Sequence, residues 1–296
     1  MKNRPSIFLT GASGFVGKNL LNYFSSRFSF VLFNKKDFNI SYCDIVIHLA
    51  GKAHDVKNVL DASEYYLSNT YLTKQIFQEF LNSPATVFIT LSSVKAVADY
   101  VDYELTEDSF MNPLTHYGKS KKLAEEFILS NTIPKGKRVY ILRPCMIHGV
   151  GNKGNLNLLY KFCSLNLPWP LGSFLNQRSF CSLDNLLFVI DELISRSDIP
   201  SGVYNVSDDN PLSTNQIVST IFQSLDKTPI VWKIPKKIII FLAKISDFFS
   251  LPFNSDVLIK LTQNFIVSNR KIKDVIGKEL PIDSLSGLKK TLNSFK

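Results

Sequence analysis

The hydrophobic positions of this chain fall into short unbroken runs separated by longer stretches of helical spacing. Residues 6–10 (SIFLT), 30–33 (FVLF), 44–49 (DIVIHL), 86–91 (TVFITL) and 138–142 (RVYIL) are such runs, most of them rich in β-branched side chains. Runs without polar alternation predict strands buried on both faces, as in a parallel sheet. Between them, Val16, Leu20, Leu21 and Phe24 share one helical side. Tyr66, Asn69, Leu72, Ile76, Phe77 and Phe80 mark a helix over 64–82, and a further helix is predicted over 116–130. Strands alternating with helices predict an α/β fold with a doubly wound parallel sheet. Only ten residues separate Phe33 from Asp44, so a loop or one helical turn is expected there.

After about residue 150 the alternation fades, and prolines such as Pro168, Pro170, Pro200, Pro211 and Pro229 punctuate short helices and loops. The expected organisation is a nucleotide-binding domain over 1–150. A smaller C-terminal substrate lobe over 151–296 sends elements back to the first. The most apolar later stretch, residues 238–243, is interrupted by Lys244 and Asp247. It is far short of the roughly 20 apolar residues that span a bilayer. A buried or half-buried helix is expected, with a helix lying on a membrane surface as the alternative.

Composition sharpens the class. At 296 residues, 45% hydrophobic and 20% charged, the chain is neither disordered, nor a coiled coil, nor a small disulfide scaffold. The excess of Lys+Arg (34) over Asp+Glu (25) gives +9, spread as short doublets rather than as a block. That pattern favours anionic small molecules over nucleic acid. Cys43, Cys145, Cys163 and Cys181 lack metal-site spacing and are expected to be reduced thiols. The N-terminal residues carry no apolar signal region, so a cytoplasmic location is expected.

Chemistry enters at residues 11–17, GASGFVG, between the first strand and the first helix. Gly11, Gly14 and Gly17 allow a sharp turn, backbone approach to a pyrophosphate and close packing of helix on strand. The spacing is GxxGxxG rather than GxGxxG, and it predicts a Rossmann-type dinucleotide site. In residues 117–121 (YGKSK) a helix puts Tyr117 and Lys121 on one side, where an ammonium lowers a phenol's pKa. Ser92 and Ser93 end the preceding strand, on the edge of the ligand crevice; Ser93 is preferred. His54, His116 and His148 are not spaced as metal ligands, and no metal is expected. Trp169, between two prolines, is read as a loop anchor.

Together these residues resemble the extended short-chain dehydrogenase/reductase superfamily, in its NAD-dependent epimerase/dehydratase family of nucleotide-sugar enzymes. The resemblance implies catalytic roles for Ser93, Tyr117 and Lys121. It implies cofactor contacts from Gly11, Ser13, Gly14, Phe15, Val16, Gly17, Asn34, Leu49, Ala50, Gly51, Asn69, Tyr117, Lys121 and Pro144. Ser93, Tyr117 and Arg178 would bind substrate, Arg178 meeting its diphosphate within the stretch 178–184 (RSFCSLD). Two departures matter. Family members that dehydrate dTDP-glucose carry Asp-Glu after the residue matching Ser93, where this chain has Val94-Lys95. The end of the second strand reads Asn34-Lys35-Lys36, without the acidic residue that often holds the ribose of NAD, so NAD and NADP both stay open. The resemblance implies hydride transfer at C4 of a UDP-activated hexose or N-acetylhexosamine, in surface polysaccharide synthesis. An NAD(P)H-dependent 4-keto-6-deoxy-sugar reductase is the alternative, and a catalytically silent cofactor-binding scaffold a further one. A homodimer is compatible with all three.

Overall fold

The computed structural model describes residues 4–34, 39–52, 62–152, 154–249 and 253–295. The first apolar run is strand β1 (Ser6–Thr10), which turns through the glycines into helix α1 (Phe15–Phe24). Strands β2 (Ser29–Leu32) and β3 (Ile45–His48) follow, with no helix between them among the described residues. Helix α2 (Ser63–Tyr65) leads through a π-helical turn, Tyr66–Tyr71, into α3 (Leu72–Asn82). Strand β4 (Val87–Leu91), a 3-10 turn at Val94–Ala96, helix α4 (His116–Leu129) and strand β5 (Arg138–Pro144) complete the alternation.

The later chain mixes both folds of element. It runs β6 (Met146–His148), α5 (Asn155–Ser164), β7 (Phe180–Ser182), α6 (Leu183–Ser195), β8 (Gly202–Val206) and α7 (Thr214–Ser224). It ends with α8 (Lys236–Phe248), α9 (Ser255–Thr262), α10 (Arg270–Ile276) and α11 (Ser284–Asn293).

Among the described residues the main sheet has six parallel strands in the order β2-β1-β3-β4-β5-β8. The inner strands β1, β3, β4 and β5 are largely apolar because both their faces are covered, with successive side chains going to opposite sides. The run at 30–33, read as buried on both faces, is instead the edge strand β2. Its Val31 and Leu32 are exposed because an edge strand has a neighbour on one side only. Ile7, Leu9, Ile45, Ile47, Ile89, Tyr140 and Leu142 pack under α1 and α6. Phe8, Val46, Phe88, Val139 and Ile141 pack on the other side against Phe77 and Phe80 of α3 and Ile128 of α4. A further core gathers Cys163, Trp169, Phe180, Ile221, Phe222, Leu258, Leu288 and Leu292 from α5, β7, α7, α9, α11 and a loop.

Two features differ from the pattern read along the chain. Strand β8 lies beyond residue 150 yet extends the main sheet; as a five-residue strand among prolines, it carries little periodic signal. The helix predicted over 64–82 contains the π turn, whose extra residue per turn rotates Asn69 into the interior. There Asn69 is fully buried and bonds both backbone groups of Lys52, Lys52 N–H to Oδ1 at 2.8 Å and Nδ2 to Lys52 O at 3.0 Å.

The strand order reverses between β1 and β3. Carboxyl ends of strands at such a point open a crevice, the usual ligand position in a doubly wound sheet. Gly11 and Leu49 lie at that point.

Candidate active site

The glycine turn leaves no space for side chains. Gly11 has φ +71°, and a Cβ on it would lie 2.7 Å from Ala50 N and Leu49 C. A Cβ on Gly17 would fall 2.2 Å from Gly11 O, so α1 can start this close to β1 only with glycine there. Gly14 is the N-cap of α1 and offers no side-chain cap, which leaves the first N–H groups of the helix open to an anion. Ser13 is exposed beside it, and Phe15 and Val16 are half-buried. This cradle, which side chains would fill, fits a dinucleotide pyrophosphate.

A polar spine fixes the floor of the crevice. His48 is buried; its Nδ1 is 2.8 Å from Thr10 Oγ1 and its Nε2 2.9 Å from Thr73 Oγ1. Thr73 donates to Asn69 O at 2.6 Å, so its hydroxyl accepts from Nε2–H. Nδ1 then accepts from Thr10, whose oxygen receives Ala50 N–H at 3.0 Å. Burial, then the charge of Lys121, pushes the His48 pKa down to about 3. The imidazole is therefore a neutral strut holding residues 48–51 against the glycine turn. Gly51 faces Asn69 and Lys121: a Cβ on it would be 2.7 Å from Asn69 Oδ1 and 3.1 Å from Lys121 Nζ.

At the end of β4 the two serines separate in role. Ser92 gives its hydroxyl to Glu125, whereas Ser93 accepts Lys95 N–H at 3.2 Å, capping the 3-10 turn, and draws the Tyr117 phenol's pKa down against the rise that burial causes. Tyr117 stands in the first turn of α4, half-buried. Asp99 fixes that turn by accepting Leu114 N–H at 2.7 Å and Thr115 N–H at 3.1 Å. Gly118 lets the helix press on the 3-10 turn, since its Cβ would lie 2.4 Å from Lys95 O. Ser93 and Tyr117 thus meet on a rigid corner.

Lys121 is buried and donates from Nζ to Leu91 O at 2.7 Å. Burial pushes its pKa down to about 8, opposed by the charge of Glu125. The depressed phenol pKa expected from a Lys121 neighbour is not what the structure shows. Burial raises the Tyr117 pKa, the Ser93 hydrogen bond draws it back, and nearby Tyr65 adds to the rise. The ammonium donates to the strand end at Leu91 O and lies against Gly51.

Sequence reasoning missed the layer beneath. Arg143 of β5 and Glu125 of α4 form a buried pair, Nη2 to Oε2 at 2.6 Å, their side chains 3% and 2% exposed. Glu125 falls four residues after Lys121, a helical spacing that was legible. Its partner on a separate strand was not.

Other residues named from the sequence lie further out. Asn34 is exposed two residues beyond β2, and Lys35 and Lys36 lie outside the described residues. Pro144 is buried at the end of β5, paired in register with Val206. Arg178 is half-buried on bridges to Leu212 and Phe265, and its Nη1 donates to Lys260 O at 2.6 Å. It is joined electrically by Lys95, whose Nζ lies 4.6 Å over the Phe265 ring. Burial pushes the Lys95 pKa down to about 8; Asp99 opposes this, and Arg178 and Lys260 add to it. Arg178 and Lys95 are thus close enough to act on each other through their charges, and Lys95 follows Ser93 by two residues in the 3-10 turn.

Of the histidines, His54 lies outside the described residues, and His116 Nδ1 is 3.1 Å from Tyr66 Oη. His148 bonds Thr291 Oγ1 at 2.9 Å, tying α11 to β6. Trp169 is buried and donates to Asn215 at 2.9 Å, which is an anchoring role. All four cysteines are buried thiols.

The sheet, the glycine cradle and the Ser–Tyr corner define a nucleotide-cofactor enzyme of the α/β class. The chain belongs to the NAD dependent epimerase/dehydratase family, whose model matches residues 34–207. It is accordingly an NAD(P)-dependent enzyme of the sugar-nucleotide epimerase/dehydratase type. A UDP-glucose 4-epimerase of Vibrio cholerae is 29% identical over 322 residues, covering 99% of this chain and 96% of the relative. An N-acetyl-alpha-D-glucosaminyl-diphospho-ditrans,octacis-undecaprenol 4-epimerase of Escherichia coli O157:H7 is 29% identical over 244 residues, covering 75% and 73%. The fold matches that of UDP-glucuronic acid 4-epimerase from Bacillus cereus, solved with NAD, with TM-score 0.74, 18% identity and 98% of each chain covered.

Proposed function

We propose that this chain is a 4-epimerase of a UDP-activated hexose or N-acetylhexosamine, serving polysaccharide synthesis. The observation that carries the proposal is the gathering of Ser93, Tyr117 and Lys121 at the end of β4, where Ser93 acts on the Tyr117 phenol and Lys121 donates to Leu91 O. Residues 1–150 would hold the cofactor, and the lobe from 151–296 would close over the sugar. The glycine cradle would take the pyrophosphate and Lys121 the ribose side of the nicotinamide, while Asn69, fully engaged on Lys52 and Ser120, would position the strand-end segment beside it. When bound, that nicotinamide supplies reversible hydride transfer at the sugar carbon.

The chain's own residues then have distinct tasks. Tyr117 exchanges a proton with the C4 oxygen, which must lose it on oxidation and regain it on reduction. Ser93 donates to the same oxygen and stabilises the charge that develops there. Arg178 and Lys95 neutralise the diphosphate, Arg178 with a planar fork suited to two phosphate oxygens. Val94-Lys95 supplies no acid for dehydration, which supports epimerisation or reduction over elimination of water. The Vibrio relative, matched over nearly its whole length, supports the epimerase. The name of the Escherichia relative also specifies a sugar diphosphate, carried on undecaprenol instead of a nucleoside.

The test is incubation of the purified protein with UDP-N-acetylglucosamine or UDP-glucose and no added cofactor, followed by chromatography. Conversion to the galacto form is expected. Absence of conversion, together with stoichiometric NAD(P)H oxidation on a UDP-4-keto-6-deoxy sugar, would replace the epimerase by the reductase. Asn34, standing where an acidic ribose clamp is common, is the feature that keeps that reductase in view.

A further inference from the structure

Helix α8 is apolar far beyond what its packing uses. Only Ile239 and Ala243 are buried, one narrow stripe against the core of the smaller lobe. On the opposite side Phe241 is 63% and Phe248 84% exposed, with Ile238, Leu242 and Ile245 also exposed. At about 100° per residue these five side chains occupy one arc of roughly 120°. Lys237 and Lys244, both exposed and seven positions apart, run along one border of the arc. The single acid of the helix, Asp247, is turned away and accepts Ser255 N–H at 2.8 Å and Ser255 Oγ–H at 2.6 Å.

We propose that this face of α8 docks on an anionic phospholipid bilayer, the helix lying flat in the headgroup layer. An apolar arc bordered by lysines and free of carboxylates is the chemistry of an interfacial helix. Charge decides against a second copy of the chain as the occupant. Two such faces packed together would oppose lysines to lysines with no acid to pair them. It also decides against a spanning segment: no helix among the described residues is long and apolar enough to cross a membrane.

The docking face belongs to the same lobe as Arg178. Lys236 at the start of α8 lies 5.6 Å over the Phe174 ring, four residues before Arg178, and α9, the next helix, supplies the Lys260 carbonyl that Arg178 holds. A protein seated this way would work beside the lipid surface. The inference stands on α8 alone and does not depend on the sugar that is epimerised.

The experiment is co-sedimentation of the full chain with vesicles of phosphatidylcholine alone and of phosphatidylcholine mixed with phosphatidylglycerol. Binding to the anionic vesicles, weakened by salt, is expected. Phe241→Ser with Phe248→Ser should lower partitioning at least about tenfold, since each removes a large apolar side chain from the interface. Lys237→Gln with Lys244→Gln should lower it about fivefold per lysine on anionic vesicles only. Both pairs are exposed, so the melting temperature and the turnover of a soluble UDP-sugar should match the parent, which separates this test from that of the catalytic proposal. Equal sedimentation of parent and phenylalanine variant overturns the inference. So does a parent that stays in the supernatant. A parent dimer by light scattering that the phenylalanine variant turns into a monomer, without vesicle binding, would make the face a self-interface and overturn it as well.

Discussion

Around Gly11 and Gly17 the chain leaves no room for side chains, and the site is shaped by backbone packed on backbone. Around Arg178 the reverse holds: the groups that matter are long side chains on short bridges and turns, Arg178 on Lys260 O and Lys95 over Phe265. The cofactor side lies at the ends of β1 and β3, buried over Ile7–Thr10 and Ile45–His48, whereas the substrate side belongs to a lobe whose helix α8 buries only Ile239 and Ala243. The difference teaches where specificity resides. A cofactor common to many enzymes can be held by geometry that tolerates no change. A particular sugar diphosphate is met by side chains on elements that can be altered without disturbing the sheet.

The sharpest way to probe the rigid side is to remove its one transferable proton. Tyr117→Phe keeps the ring and its packing against Tyr65, yet should lower turnover by roughly 10²–10⁴-fold in the epimerisation assay. Near-parental activity would show that the Ser93–Tyr117 corner is structural. Gly17→Ala asks whether the cradle is as unforgiving as its distances say. With a Cβ at 2.2 Å from Gly11 O the turn must open, and loss of NAD(P) binding by calorimetry is expected. Stability should fall by about 1–3 kcal/mol, the usual cost of forcing extra atoms into close packing. A variant that binds like the parent would mean the turn is compliant.

The same contrast explains what could be read from sequence. The sheet was legible because the runs at 6–10, 44–49, 86–91 and 138–142 needed burial on both faces and the glycines stood between a strand and a helix. The run at 30–33 formed a strand too, but an exposed edge one. Tyr117 and Lys121 were legible through helical spacing. Strand β8, the π turn under Asn69, and the pairing of Glu125 with Arg143 were not, because each depends on elements distant in sequence meeting in space. The Lys121 ammonium was expected at the phenol, since i,i+4 spacing sets a shared face without setting where a long side chain ends. The Leu91 carbonyl at 2.7 Å offered it a partner that spacing does not reveal. The exposed face of α8 was visible as an apolar run, but only the structure shows which side of it stays uncovered.

On the adaptable side the expected effect is smaller. Arg178→Ala should weaken UDP binding by about ten- to a hundredfold, the range for losing charge-assisted hydrogen bonds to phosphate. NAD(P) affinity should stay near that of the parent, because Arg178 bonds Lys260 and touches no part of the glycine cradle. Titration calorimetry with each nucleotide separates the outcomes. A loss shared equally by both would abolish the distinction between the two sides.

The smallest effect is a pH dependence that places charge on the rigid side. Lys121 has a pKa pushed from 10.5 down to about 8 by burial, with Glu125 opposing. Between those values the unfolded chain still holds the proton that the folded chain has released, so this group makes stability rise with pH across that window. Below about pH 8 both states are protonated and the folded state bears the cost of a buried cation. Lys121→Met removes the titration and retains the aliphatic stem. Measured without nucleotide, the parent's melting temperature should therefore gain on that of Lys121→Met as pH rises from about 8 towards 10.5. The two should run parallel below that range. Parallel curves throughout would mean that the ammonium is solvated, and the strand-end site would then be as open as the substrate lobe.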